Sequence, residues 1–138
     1  MSLFGLLEVS GSALAAQSVR LNTISSNLAN AESVSGSAEA AYKAKQPIFS
    51  TMVDHAFRGN SALAGVRVDG VSESNAPARK EYSPDHPLSD PDGFVFYSNV
   101  NMVEEMANMI SASRSYQSSV EVMNTSKQLL MQTLSLGQ

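Results

Sequence analysis

Two amphipathic segments at opposite ends of the chain constrain its fold more than any other feature. Near the start, apolar residues recur at helical spacing, with leucines seven residues apart: Leu7, Leu14, Leu21, Ile24 and Leu28. Near the end, a second stripe alternates steps of four and three: Met102, Met106, Met109, Ser113, Tyr116, Val120, Met123, Lys127, Leu130 and Leu134. Such spacing is typical of one face of a helix in a coiled coil. We therefore predict helices over residues 3–31 and 101–136 that pair with each other.

The segment between the two helices has no helical period over most of its length. Alternating or β-branched runs predict strands at residues 65–71 and 94–97, and residues 46–49 have an extended pattern. Phe49, Met52, Val53 and Phe57 fit a short helix or a strand, and residues 33–41 have the composition of a flexible loop. The predicted fold is mainly α with a small β lobe: residues 1–32 and 101–138 form a terminal helical coiled-coil domain, and residues 33–100 form a central, irregular β-rich lobe.

Small residues occupy much of the first predicted helix, among them Ser10, Gly11, Ser12 and Ala13. A solvated face and a close contact with another helix both explain this run, since small side chains let a second backbone approach. The spacing alone leaves the two interpretations open.

Composition excludes several classes of protein. The 138 residues contain no cysteine, which rules out a disulfide framework and any thiolate metal site or nucleophile. The formal net charge of −4 comes without a basic stripe, so nucleic acid is not an expected partner. No apolar run is long enough for a membrane span. Glu8 interrupts the apolar start and no Lys or Arg precedes it, so we expect an N-terminal helix that is retained and not a cleaved signal peptide.

The strongest candidate for chemistry is Asp85-His86-Pro87, followed by Asp90 and Asp92. Carboxylates beside an imidazole can bind a metal or perform acid–base catalysis, which makes a small metal-binding hydrolase one alternative. Asp and Pro also serve turn geometry, and the spacing matches no ligand motif. We therefore predict a protein that is not an enzyme, with no catalytic, cofactor-binding or metal-binding residues.

Both helical segments contain motifs that resemble those of bacterial flagellar basal-body rod proteins. The N-terminal motif, residues 18–31, has its core in Leu21, Asn22, Asn27, Leu28, Ala29 and Asn30. The C-terminal motif is typified by Val100, Asn101, Glu104, Glu105, Tyr116 and Asn124. This second motif and the segment around Asp85-His86-Pro87 resemble the proximal, C-type rod branch most. A loop at residues 33–41 that is longer than usual for the family is the main departure.

The resemblance implies a structural subunit of the basal-body rod, a hollow axial shaft that transmits torque and passes exported subunits. It implies export by the flagellar type III apparatus without a cleaved signal, and a location in the periplasm-spanning rod. The implied partners are other rod subunits and the export-gate adaptor protein, in a helical assembly that is both homo- and hetero-oligomeric. Another rod or hook-junction component of the same family is the nearer alternative. Under either, the two stripes are the expected assembly seams.

Overall fold

Two long helices at the ends of the chain enclose five short or medium strands. The structure is a computed structural model that describes residues 3–53 and 64–136. Its elements, in chain order, are α1 (Leu3–Ala29), β1 (Val34–Ser35), β2 (Lys45–Val53), β3 (Ala64–Glu73), β4 (Arg79–Tyr82), β5 (Phe94–Tyr97) and α2 (Met102–Leu136). The prediction of a mainly α fold with a small β component is confirmed.

The ends of the two helices follow from local hydrogen bonding. Asn101 begins α2, because its side-chain oxygen accepts hydrogen bonds from the backbone N–H groups of Val103 and Glu104 at 3.2 and 3.3 Å. At the other junction α1 ends at Ala29, two residues earlier than predicted, and a turn follows. None of the described helices combines the length and apolar character needed to cross a membrane.

The strands form two separate antiparallel sheets. One has three strands in the order β1-β5-β4, and the other is a hairpin of β2 and β3. The strands predicted at residues 65–71 and 94–97 are present as β3 and β5, and β2 extends the predicted run at 46–49 to Val53. Phe57 lies outside the described residues.

Two of the strands, β1 and β4, are not predicted by the sequence pattern. Val34 and Ser35 were assigned to a loop but pair with Tyr97 and Phe96 as β1. The strand β4 is exposed along its whole length and charged at three of four positions, so it lacks the apolar alternation that identifies a strand. Pairing with β5 is what gives each segment its extended structure.

The three-stranded sheet depends on one fully buried residue and one tight turn. Val95 in β5 is completely buried. The turn before it needs Gly93, whose φ of +81° is in the left-handed region. A β-carbon at Gly93 would also lie 2.9 Å from a ring carbon of Tyr82, so no other residue fits without displacing that ring.

The β2–β3 hairpin is held against α1 at Ser12. The Ser12 hydroxyl donates to the carbonyl of Val9 at 2.8 Å and accepts from the backbone N–H of Val66 at 3.1 Å. Gly65 comes so close to α1 that an added β-carbon would lie 3.0 Å from the same hydroxyl oxygen. The hairpin is thus packed against α1 through both of its strands.

Candidate assembly site

The two terminal helices run antiparallel. Gly11, early in α1, lies beside Met123, late in α2: an added β-carbon would be 3.9 Å from the methionine methyl. Further along α1, the Arg20 guanidinium donates to the side-chain oxygen of Asn108, which lies early in α2, at 3.5 Å. The predicted pairing of the terminal helices is confirmed.

Several of the buried residues of the two helices have small side chains. On α1, Ser10 and Ala16 are buried; on α2, Ala112 and Ser126 are buried. Small residues at facing positions let two helix axes approach closely. The run of small residues in α1 therefore includes close-packed positions and is not simply a solvated face.

The buried row of α2 repeats every seven residues and differs from the predicted one. Its members are Glu105, Ala112, Ser119 and Ser126, of which Ser119 is half-buried. Glu105 begins this row in the first turn, where the positive end of the helix dipole favours its charge. One of its carboxylate oxygens is sealed from solvent and accepts no hydrogen bond from the described residues.

The predicted seam residues are distributed around this contact. On α1, Ile24 is buried, and the four leucines at 7, 14, 21 and 28 are half-buried. On α2 the half-buried members are Met109, Ser113, Val120, Met123 and Leu130. The exposed members are Met102, Met106, Tyr116, Lys127 and Leu134.

The two rows of the predicted α2 seam are therefore covered unequally by α1, and the role of the seam in assembly stays a prediction. One predicted row, with Met109, Met123 and Leu130, flanks the contact, whereas Met106 and Leu134 in the other row remain exposed. The physical reason is that the helices bury their smallest side chains, so that large ones fall to the flanks. A stripe of large apolar residues consequently misplaces the contact by part of a turn.

A fully buried asparagine joins α1 to the β2–β3 hairpin. The Asn27 side-chain nitrogen donates to the carbonyl of Lys45 at 2.8 Å, and its oxygen accepts from the Lys45 N–H at 2.9 Å. The same oxygen accepts from the Tyr42 hydroxyl at 3.1 Å. The amide thus pairs with the first residue of β2 as a neighbouring strand would, and sequence reasoning had no signal for this role.

A second asparagine, Asn99, fastens the other connection of the β lobe. Its side-chain oxygen accepts from the Ala44 N–H at 2.6 Å, and its nitrogen donates to the carbonyl of Ala76 at 2.8 Å. Next to it, the buried Ser98 hydroxyl donates to the carbonyl of Ala31 at 2.7 Å. The chain entering the lobe and the chain leaving it are therefore tied to each other.

Tyr42 gives this junction a dependence on pH. Burial, followed by the negative charges of Glu105 and Glu73, raises the pKa of the Tyr42 hydroxyl above its usual value. Because the folded state holds this proton more tightly, the associated stability is complete below about pH 10 and is lost as pH rises through the folded-state pKa.

We expect the advantage of the natural chain over a Tyr42→Phe variant to shrink as the pH rises from about 9 to 11. Urea unfolding of both proteins across this range measures it. The phenylalanine variant is the matched control, because it keeps the ring and removes only the titrating hydroxyl. A difference in unfolding free energy that stays constant with pH would contradict the assignment.

The remaining motif residues have local roles or face solvent. Asn30 donates to the carbonyl of Ser26 at 2.8 Å and so closes the end of α1. Asn22, Ala29, Glu104 and Asn124 are exposed, and Val100 is half-buried.

The candidate cluster for chemistry is engaged in turns. The Nδ1 atom of His86 accepts the backbone N–H of Leu88 at 3.1 Å. One oxygen of Asp90 accepts the backbone N–H groups of Asp92 and Phe94 at 3.0 and 2.8 Å. Within residues 3–53 and 64–136, no three His, Asp or Glu side chains are grouped as metal ligands. These side chains shape the turn before β5, which is the alternative that the sequence allowed.

The chain has more surface than a compact monomer of its size. It exposes 9372 Å², whereas a folded 14.7 kDa protein has about 6,900 Å². In the described part of the chain the buried apolar residues are mostly alanines, and the large ones are Ile24 and Val95. Much apolar surface on α2 is left uncovered, with Val103, Ile110 and Leu134 all more than half exposed.

Comparison with known proteins identifies similar chains over the full length. The family model described as flagella basal body rod protein matches residues 7–36, and that of the flagellar basal body rod FlgEFG protein C-terminal region matches residues 92–136. The chain is 50% identical to flagellar basal-body rod protein FlgC of Salmonella typhimurium strain LT2 over 138 residues, with all of both chains covered. The proteins of the same name from Escherichia coli O157:H7 and Yersinia enterocolitica are 49% and 47% identical, again over the whole of each chain.

Proposed function

This chain belongs to the family of flagellar basal-body rod proteins and is a structural subunit of the rod, and we propose that it assembles with other rod proteins into a hollow axial shaft. In this proposal the shaft transmits torque across the periplasm and passes exported subunits. The role requires no catalysis. The partners are further rod subunits and, at the base, the export-gate adaptor protein.

The surface of the isolated chain supports this proposal most directly. Its excess over a compact monomer is roughly 2,400 Å², and since a standard interface covers about 800 Å² on each partner, this equals about three such contact areas. In the described part of the chain, the large apolar residues that remain exposed lie mainly on α2, as expected of a helix that other subunits cover. A non-closing contact between unlike surfaces would extend such an assembly into a helical shaft.

We further propose that the chain reaches the rod through the flagellar type III apparatus, without a cleaved signal. The described core is consistent with passage in an unfolded state, because it holds few large side chains and no cysteine. Refolding would then depend mainly on contacts with subunits already in place.

Electron microscopy of basal bodies tests the proposal. A strain lacking this chain should make no complete rod and should not swim, and an epitope-labelled copy should restore both and mark the rod. A matched strain with the label on an unrelated periplasmic protein controls for adventitious binding. Complete rods in the strain lacking the chain, or a label found away from the basal body, would refute the proposed role.

A further inference from the structure

A second row of residues on α2 lies beside the contact with α1 and is largely exposed, with Ser113 and Val120 half-buried. It follows the alternating three- and four-residue spacing of a coiled-coil seam: Val103, Met106, Ile110, Ser113, Gln117, Val120, Asn124, Lys127, Met131 and Leu134. Its large apolar members are well exposed, Met106 at 54%, Ile110 at 56% and Met131 at 64%. The row is thus patterned for a helix, and the described part of the chain leaves most of its large apolar members uncovered.

The first helix carries an exposed row of a complementary kind. Glu8, Ala15, Asn22 and Ala29 are spaced seven residues apart, and all four are exposed. They form a different row from the buried Ser10 and from the leucines. Two alanines and two polar groups give this row little apolar area, so it has no evident use in an isolated chain.

The two rows match in one antiparallel register. Lying opposite each other would be Glu8 and Lys127, Ala15 and Val120, Asn22 and Ser113, and Ala29 and Met106. Each small residue then meets a large apolar one, the polar residues meet each other, and the carboxylate meets the ammonium group. Such a combination of steric and charge complementarity is what sets partner and register in coiled coils.

Other registers lose these matches. Sliding one helix by seven residues puts Glu8 opposite Val120 or Leu134, which sets a charge against an apolar side chain. A parallel arrangement that keeps Ala15 opposite Val120 pairs Ala29 with Leu134 and leaves Glu8 and Lys127 without each other. Charge complementarity therefore favours the antiparallel register.

We propose that the exposed α1 row of one copy of this chain packs antiparallel on the second α2 row of the next copy. This inference rests on the proposed function and names the partner and register of its assembly surface. The two surfaces are different, so each copy uses α1 toward one neighbour and α2 toward another. The contact is of the non-closing type that builds a helical array.

Crosslinking in assembled rods tests the register. The chain has no cysteine, so Ala29→Cys and Met106→Cys can be introduced singly into two copies that carry different tags. When both copies are expressed in cells lacking the natural chain, a disulfide between the tags must join two molecules. The matched control pairs Ala29→Cys with Leu134→Cys, which the parallel register would bring together.

We expect the Ala29–Met106 pair to crosslink at least about tenfold more than the control, because proximity raises the effective concentration. Equal yields, or a higher yield in the control, would overturn the proposed register. Basal bodies that contain neither tagged copy would instead refute the role in the rod, so the two failures can be told apart.

Exchange of charges provides an independent test. Glu8→Lys or Lys127→Glu alone should reduce complete rods per cell by about tenfold, because like charges then face each other. The double variant should restore them, since the pair is reformed with its signs reversed. Failure of the double variant to improve on both single variants would contradict the contact between Glu8 and Lys127.

Discussion

Replacing Leu21 by aspartate is expected to abolish swimming by preventing the rod from forming. The leucine is half-buried on α1, one helical turn after Gln17. It is next to Arg20, whose side chain hydrogen-bonds to α2. A carboxylate there must lose its water on assembly without gaining an opposite charge or a hydrogen-bond donor, which costs about 2–4 kcal/mol. Neighbouring subunits would bury this row further, which increases the penalty. Every copy in the rod carries the substitution, so the penalty is repeated at each subunit.

The measurement is the number of complete rods in basal bodies from cells that express only the variant. Ser25→Asp is the matched control, since it adds the same charge on an exposed position of the same helix. The central lobe should stay folded in both variants, as judged by near-ultraviolet circular dichroism of its tyrosines. Normal rods in the Leu21→Asp strain would count against any assembly role for the leucine row.

The second large effect is expected at Asn27. Asn27→Asp keeps the size of the side chain but replaces the donating nitrogen by an oxygen, which would lie about 2.8 Å from the Lys45 carbonyl oxygen. Two acceptors then face each other at a position with no solvent exposure. We expect the free energy of unfolding to fall by about 3–5 kcal/mol, because a buried charge loses its compensation.

The pH dependence of this variant separates charge from shape. Burial without a donor raises the pKa of the introduced carboxyl group, so the folded variant binds a proton more tightly than the unfolded one. Its stability relative to the natural chain should therefore recover as the pH falls from 7 toward 4, where the protonated group can donate to the carbonyl. Asn22→Asp, which makes the same change at an exposed position of α1, is the control. A deficit that does not change with pH would mean that steric strain, not charge, is responsible.

The helices were predictable because their pattern is long and local. The recurrence of Leu7 to Leu28 and the cap at Asn101 lie within the segments that they organise, so tertiary structure was not needed to recognise them. The strand β5 was found for a similar reason, since Phe94 to Tyr97 combines aromatic and β-branched residues after a turn.

The details of the contacts were not predictable from hydropathy. Ala112, Ser119 and Ser126 form the buried row of α2. Small residues give no strong apolar signal, so hydropathy places the seam on the larger methionines instead. The role of Asn27 required knowing that Lys45, eighteen residues later, returns to the helix. In both cases the contacting residue is distant in the sequence, where periodicity carries no information.

The two asparagine clamps have a consequence for how such subunits diversify. The backbone N–H of Ala44 donates to Asn99, and that of Lys45 donates to Asn27. These hydrogen bonds fix the start of the central lobe and do not depend on the side chains further along it. The lobe is therefore attached to the rest of the chain at fixed points. We expect that its sequence, and the length of residues 33–41, can vary without changing the orientation of the lobe relative to the helices. A graft of residues 46–97 from a relative should therefore adopt the same orientation.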